Sequence, residues 1–201
     1  MKPKVSILVP VFNVSAYIEK CAESILNQTF KDIEYVFIND GTTDDSMDKL
    51  QTILDRYPEQ KDKVKIIQHA TNKGSAAARN SAINASTGDY ILFVDGDDYI
   101  ELNMVEILFQ KAKNENADIV ISDILMEYTN KTTLFSDNLS INKQEHFINI
   151  ITTNLASSSL CNKLISRNLY ENLNCIFPIG LNYMEDHHVI IRLFYFANKI
   201  K

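Results

Sequence analysis

The feature that most constrains this 201-residue chain is a change of hydrophobic period that recurs through its first 120 residues. Short apolar runs rich in β-branched residues stand at Val5 to Val9, Ile33 to Ile38, Val64 to Ile67, Tyr90 to Val94 and Ile119 to Ile121. Continuous rather than alternating hydrophobicity is what strands covered on both faces require. Between the runs the period lengthens to that of a helix. Ser15 is placed to cap a helix carrying Ile18, Cys21, Ala22, Ile25 and Leu26, and Asp44 or Asp45 to start a second with Met47, Leu50, Ile53 and Leu54. Ser75 to Ala85 reads as a third helix, and Leu102, Val105, Leu108, Phe109 and Ala112 mark a fourth. This alternation predicts an α/β fold with a mostly parallel central sheet and helices on both faces.

Beyond about residue 125 the rhythm loosens. Tyr128 to Leu139 reads as a strand or excursion, Glu145 to Leu155 as a helix, and Asn162 to Ile165 as a short strand. Arg167 to Leu173 suits one or two helical turns, and Asp186 to Phe196 carries a helical stripe. With no repeat or low-complexity linker, the expectation is one domain. At 45% hydrophobic and 23% charged residues the chain has material for a real core, which excludes disordered and collagen-like classes. A net charge of −6 argues against a nucleic-acid partner bound through a general basic surface. Three cysteines without C-x-x-C spacing suit neither a disulfide scaffold nor zinc. No leader or membrane-span pattern is present, so the expected location is cytoplasmic, with peripheral contact at the inner face of a membrane left open.

In a parallel α/β sheet, ligands bind beyond the carboxyl ends of the strands. Strand one runs into Pro10-Val11-Phe12-Asn13 and strand two into Asn39-Asp40-Gly41-Thr42-Thr43-Asp44. Strand three is followed by Asn72-Lys73-Gly74-Ser75 and then Arg79, and strand four by Asp95-Gly96-Asp97-Asp98. Three carboxylates within four residues repel one another unless a cation or hydrogen-bond donors hold them. Hard oxygen ligands suit Mg²⁺ or Mn²⁺ bridging a diphosphate, and Lys73 and Arg79 are cations for the same anion. The plainer reading is an acidic turn before a helix. Asp40 suits a base or ribose, or an Asx turn into Gly41. Glu185-Asp186 opens the last helix, where a carboxylate is either a cap or a general base. The adjacent His187 and His188 point in different directions on a helix and make a poor metal pair.

Val5 to Asn13, Ile38 to Asp44, Asn72 to Asn80, Phe93 to Asp98 and Glu185-Asp186 come in the order and spacing of family 2 glycosyltransferases, which the chain resembles over nearly its whole length. The resemblance implies a GT-A Rossmann-like fold for nucleotide-diphospho-sugar transfer and an inverting reaction. Residues 1–100 would then be the nucleotide-sugar-binding half and 101–201 the acceptor-side half. It implies that Pro10, Val11, Phe12, Asn13 and Asp40 hold the base and ribose of a nucleotide-sugar donor, with Lys73, Arg79, Asp95 and Gly96 along the same site. Asp95 and Asp97 become a D-x-D motif, Asp97 the foremost Mn²⁺ or Mg²⁺ ligand and Asp98 beside it. Asp186 becomes the general base, supported by Glu185. The donor implied is a UDP-sugar and the acceptor a glycan or lipid-linked saccharide, in bacterial-type polysaccharide or cell-surface glycan synthesis. Asn39 stands where many relatives carry a second acidic residue. Relatives also commonly continue past the helix after the Glu-Asp pair, so a C-terminally incomplete domain is expected. The other readings are a non-catalytic nucleotide-sugar-binding subunit and a phosphatase with Asp95 as nucleophile. The second is disfavoured because three strand–helix units precede the motif. A dinucleotide oxidoreductase and a P-loop NTPase lack their glycine signatures.

Overall fold

A computed structural model describes residues 2–136, 147–149, 158–174, 177–181 and 184–201. Eight strands are described: β1 (Val5–Val11), β2 (Ile33–Asn39), β3 (Val64–Gln68), β4 (Tyr90–Phe93), β5 (Ile119–Ile121), β6 (Ile124–Tyr128), β7 (Lys131–Phe135) and β8 (Lys163–Ser166). The named helices are α1 (Ile18–Leu26), α2 (Ser46–Leu54), α3 (Ser75–Ala85), α4 (Met104–Glu115), α5 (Arg167–Asn172) and α6 (Glu185–Phe196), with a 3₁₀ turn over Pro58–Lys63.

The main sheet has six strands in the order β3-β2-β1-β4-β8-β5. β3, β2, β1 and β4 pair in parallel, and β8 runs antiparallel to both β4 and β5. The mostly parallel sheet expected from the sequence is therefore present, with one reversed strand inserted between the fourth and fifth. β6 and β7 form a separate hairpin. Alternate residues of β1 sort the core into two layers. Val5, Ile7, Val9 and Val11 pack with α1, α2 and α4, while Leu8 packs with α3, α5 and α6.

Several local expectations need correction. Ser15 does not cap α1: Tyr17 holds the N-cap position without a side-chain bond, and the Ser15 hydroxyl donates to Asp45 instead. Asp45 occupies the N-cap of α2 without capping it, its carboxylate accepting the Ser15 hydroxyl instead. Leu102 is not core. It precedes α4, is exposed, and its carbonyl accepts the Thr29 N–H at 2.9 Å. The expected helix over 145–155 falls largely outside the described residues, which include helical positions 147–149.

At the amino ends of β1 and β2 lies a buried polar knot. Glu34 accepts bonds from Ser6 Oγ (2.7 Å), the Thr87 hydroxyl (3.0 Å), the Gly88 N–H (3.0 Å) and Lys65 Nζ (2.8 Å). Arg167 at the start of α5 closes the knot from the other side, donating to the Gly88 carbonyl at 2.5 Å and to Ser86 Oγ at 2.7 Å. Burial works against the Glu34 charge, but the bonds from Lys65, Thr87 and Ser6 outweigh it and lower the carboxyl from 4.5 to about 2. A depressed folded-state value means that the unfolded chain binds the extra proton, so this contribution is present above pH 4.5 and lost towards pH 2. Glu34→Gln should cost about 1–3 kcal/mol near neutral pH. In thermal melts the gap between wild type and variant should close as pH falls through that window.

Candidate active site

The carboxyl ends of β1 and β2 lead into two loops that are stitched together. The Asp40 N–H donates to the Val11 carbonyl at 3.0 Å. Asn13, in the left-handed region at φ 52°, accepts the Thr43 N–H at 3.0 Å and faces both threonine hydroxyls. Asp44 accepts the N–H groups of Ser15 and Ser46, both at 3.0 Å. Slight desolvation opposes its charge, but the bonds from Ser46, Thr42 and Ser15 hold this carboxyl down at about 2. Gly41, at φ 67°, lies so close to the neighbouring loop that a Cβ would stand 2.6 Å from the Asn72 nitrogen. A Cβ at Gly96 would meet the Pro10 carbonyl at 2.9 Å.

Asp40 is buried, and each of its oxygens already accepts. Oδ1 takes the Lys73 N–H (3.0 Å) and Oδ2 the Gly74 N–H (2.9 Å), fixing the loop that leads into α3. His69 Nδ1 is hydrogen-bonded to Asp40 Oδ1 at 2.6 Å, and its Nε2 to the Ser81 hydroxyl at 2.9 Å. One residue earlier, Asn39 Oδ1 accepts the Thr42 N–H three positions on at 2.9 Å. Asn39 also donates to Gln68 at 2.7 Å, tying the β2 and β3 ends together.

Between these loops and the end of β4 is a cleft of about 320 Å³, whose walls include Pro10, Phe12, Asp40, Arg79, Asp95 and Asp97. Arg79 is its buried cation. Ala76, Ala78 and Ala82 let α3 lie close against the sheet and bring the guanidinium under the strand ends. Nη2 donates to Asp95 Oδ1 at 3.0 Å and Nη1 to Glu185 Oε1 at 2.9 Å. Nη1 also lies 3.1 Å from Asp186 Oδ1, close enough for charge attraction but not aligned as a hydrogen bond, and that oxygen has no hydrogen-bond partner. Burial opposes the Arg79 charge, but Asp95, Asp186 and Glu185 overcome it and raise the pKa further.

The surrounding carboxylates divide by environment. Burial pushes Asp186 up to about 6, with Arg79 pulling it back and Asp95 and Glu185 pushing it on. Burial also opposes the charge of Glu185, but the Ser75 hydroxyl and Arg79 hold it below the ordinary range. Burial raises Asp95 as well, against Arg79. Asp98 is raised to about 6 by desolvation of its carboxyl and then by Asp95 and Asp97, although the residue as a whole is exposed. Both catalytic-candidate acids sit in the first turn of α6, where the positive end of the helix dipole favours their charge.

Most of the residues expected from the sequence converge here, by different routes. Pro10, Phe12, Asp40, Arg79, Asp95, Gly96, Asp97 and Glu185 line the cleft. Val11 is buried and contributes its carbonyl, Asn13 stitches the loops, and Asp186 stands behind Glu185 against Arg79. Lys73 contributes its backbone N–H while its side chain is exposed and stands outside the cleft wall. Sequence reasoning missed His69, although it directly follows β3 and so occupies a ligand-facing strand end. It also missed Lys163, buried at the start of β8, whose charge lowers Asp186. Cys21 and Cys161 are free thiols, both pushed upward by burial and the nearby aspartates, Cys161 to about 11, so neither supplies a thiolate near neutral pH.

Among the described residues no group of three His, Cys, Asp or Glu is arranged to enclose a metal. Asp97 is exposed on the cleft rim, and Asp95 has one oxygen on Arg79. This is an open, hard-oxygen donor set, which fits a cation whose remaining positions are filled by water and substrate phosphate, as Mg²⁺ and similar ions prefer.

The mostly parallel six-stranded sheet has the GT-A fold of known glycosyltransferases. The Glycosyl transferase family 2 model matches residues 6–173, and the chain belongs to that family. It is 33% identical over 204 residues to the putative glycosyltransferase EpsH of Bacillus subtilis (strain 168), covering 98% of this chain and 58% of EpsH. It is 36% identical over 124 residues to the poly(ribitol-phosphate) beta-glucosyltransferase of Bacillus spizizenii, covering 60% of this chain and 19% of that protein. The crystal structure of S. aureus TarS 1–349 in complex with UDP aligns with a TM-score of 0.81 at 25% identity, over 98% of this chain and 56% of that one. The chain therefore spans little more than half the length of EpsH and of that TarS structure.

Removing one partner from a buried charge cluster costs about 3–5 kcal/mol, because the remaining charges stay behind unpaired. Arg79→Ala should therefore lower the melting midpoint by roughly 6–20 °C at 2–4 °C per kcal/mol. Arg79→Lys, which keeps the charge but not the planar fork, should fall between. A melt unchanged by Arg79→Ala would remove the bridge from any account of the site.

Proposed function

We propose that this domain transfers a sugar from a nucleotide-diphospho-sugar, a UDP-sugar before others, to an acceptor hydroxyl with inversion at the anomeric carbon. The process served is bacterial-type polysaccharide or cell-surface glycan synthesis. The single observation that carries the reading is the Arg79 bridge, which joins the carboxylate at the donor-side strand end, Asp95, to the acid pair at the start of α6. The UDP in the TarS complex supports the choice of nucleotide. Poly(ribitol-phosphate) is the acceptor in one relative's name, but that match spans 60% of this chain, so it leaves the acceptor here open.

In this reading residues 1–100 bind the donor and 101–201 face the acceptor. Pro10 and Phe12 flank the base, and Asp40 acts through the 72–74 loop that it fixes. Asp97, with Asp95 and Asp98 beside it, would hold Mn²⁺ or Mg²⁺, which when bound neutralises charge on the departing diphosphate. Asp186 takes the proton from the acceptor hydroxyl. The freed oxygen forms its bond to the anomeric carbon as the bond to the diphosphate oxygen breaks, and the nucleoside diphosphate leaves with that electron pair. A carboxyl near 6 is well matched to this work: ionised at neutral pH, yet more basic than an ordinary aspartate. Glu185, held ionised by the Ser75 hydroxyl and Arg79, keeps the arginine in place beside Asp186.

With UDP and Mn²⁺ at about 100 times Kd, thermal unfolding should shift by roughly 5–10 °C, from about 2.7 kcal/mol of binding energy. EDTA and Asp97→Ala should each abolish the metal-dependent part of the shift. Asp186→Asn should keep it while slowing transfer by about 10²–10⁴-fold. Transfer by the wild type should fall about tenfold per pH unit below about 6, because the base must be deprotonated. Wild-type transfer rates in Asp186→Asn would reject the base assignment.

A further inference from the structure

A second and larger cleft, of about 630 Å³, opens between the start of α1, the Asp98–Glu101 turn and the β6–β7 hairpin. Asp97 lies on the walls of both clefts, so an occupant of the larger one reaches the edge of the donor cleft. Its size is within the range of small-molecule sites, about 300–1,000 Å³.

Tyr17, Tyr99 and Tyr128 line it, and Tyr17 and Tyr128 are 55% and 54% exposed. Tyr99 and Tyr128 each have an ammonium over the ring, Lys20 at 3.3 Å and Lys131 at 5.1 Å from the centroid. The Tyr17 ring offers a flat apolar face with a polar tip. That combination suits a pyranose, whose C–H faces are rimmed by hydroxyls, and neighbouring carboxylates accept from those hydroxyls. The wall's charge narrows the ligand further. Its described residues include five carboxylates, Asp97, Asp98, Glu101, Asp123 and Glu127, against the single ammonium of Lys20. That ammonium is already engaged: it stands 3.3 Å from the Tyr99 ring centroid and 3.7 Å from Glu127, while the Tyr99 hydroxyl donates to Glu127 at 2.6 Å. A divalent cation at Asp97 offsets two of the negative charges and still leaves the wall acidic. A phosphodiester chain laid along it meets like charge, which costs affinity and slows encounter.

We propose that this cleft is the acceptor subsite and that it takes an uncharged saccharide rather than a phosphate-bearing polymer. The proposal rests on the glycosyl-transfer reading, whose second substrate it names.

The test titrates the full protein, with UDP and Mn²⁺ present, against neutral cello-, malto- and chito-oligosaccharides and against poly(ribitol phosphate), read by saturation-transfer NMR and calorimetry at low salt. A neutral oligosaccharide should bind and the polymer should not. Tyr128→Ala should weaken that saccharide at least tenfold, the loss falling on the saccharide and not on UDP or the UDP-sugar. Asp123→Lys combined with Glu101→Lys should admit the polymer. Three results overturn the assignment: tighter binding of the polymer by wild type, a Tyr128→Ala loss that falls on the UDP-sugar (making the cleft the seat of the donor's hexose), or no saccharide binding while UDP binds. Absence of UDP binding as well would remove the glycosyl-transfer reading itself.

Discussion

The site depends on one buried cation. Arg79 lies under the strand ends with two carboxylates in ion-pair contact on the α6 side and one on the β4 side. A guanidinium presents its donors in a fixed plane, so it imposes distance and angle on both partners in a way that a flexible ammonium does not. The bridge therefore sets where the acid pair of α6 stands relative to the aspartate that ends β4. It also separates two acids adjacent in sequence. Glu185 takes the aligned bond and is held ionised, while Asp186 is left near the charge without a bond and is raised towards neutrality. Two neighbouring carboxyls thus acquire different basicities, burial raising Asp186 while the Ser75 hydroxyl and Arg79 hold Glu185 down.

The donor cleft owes its shape to backbone held by polar side chains. Asn13 and Asp44 bind the first two strand-end loops together, and Asp40 holds the third through two amide N–H groups and His69. Each of these bonds satisfies a loop donor that regular structure leaves unpaired. These bonds hold the loops in place, so binding a nucleotide requires less ordering of chain. The left-handed Gly41 and the tight approach of Gly96 to Pro10 belong to the same device, since side chains there would force apart the loops that line the cleft.

Much of this was legible in the sequence because it follows from local pattern. Continuous β-branched runs gave β1 to β5 nearly to the residue, and the ends of those strands pointed to Asp40, Arg79 and Asp95. What escaped was whatever depends on contacts distant in sequence. Ser15 has the chemistry of an N-cap, but a partner thirty positions away, Asp45, takes its hydroxyl. The amide of Lys73 is held by Asp40, thirty-three positions away, a contact that its sequence neighbours do not announce. His69 carries no motif of its own, and its importance comes from Asp40 on one side and Ser81 on the other. The reversed placement of β8 between β4 and β5 was likewise invisible, since a four-residue strand states no neighbour.

That reversed strand explains how the second half of the chain reaches the site. A further parallel strand beside β4 would arrive by a right-handed crossover, with its helix packed on the sheet face before the strand. β8 instead enters against β4 and turns directly into α5, whose Arg167 is pinned to the Gly88 turn at the amino ends of the sheet. From that anchor the chain must travel back along the α3 face to reach the carboxyl ends. α6 packs there through Val189, Ile190, Leu193 and Phe194, in the same layer as the alanines of α3. Its first turn then lies beside Arg79. The polar knot at one end of the sheet and the charged bridge at the other thus fix the two ends of a single return path. The acid pair is positioned by the route of the chain as much as by the arginine that receives it.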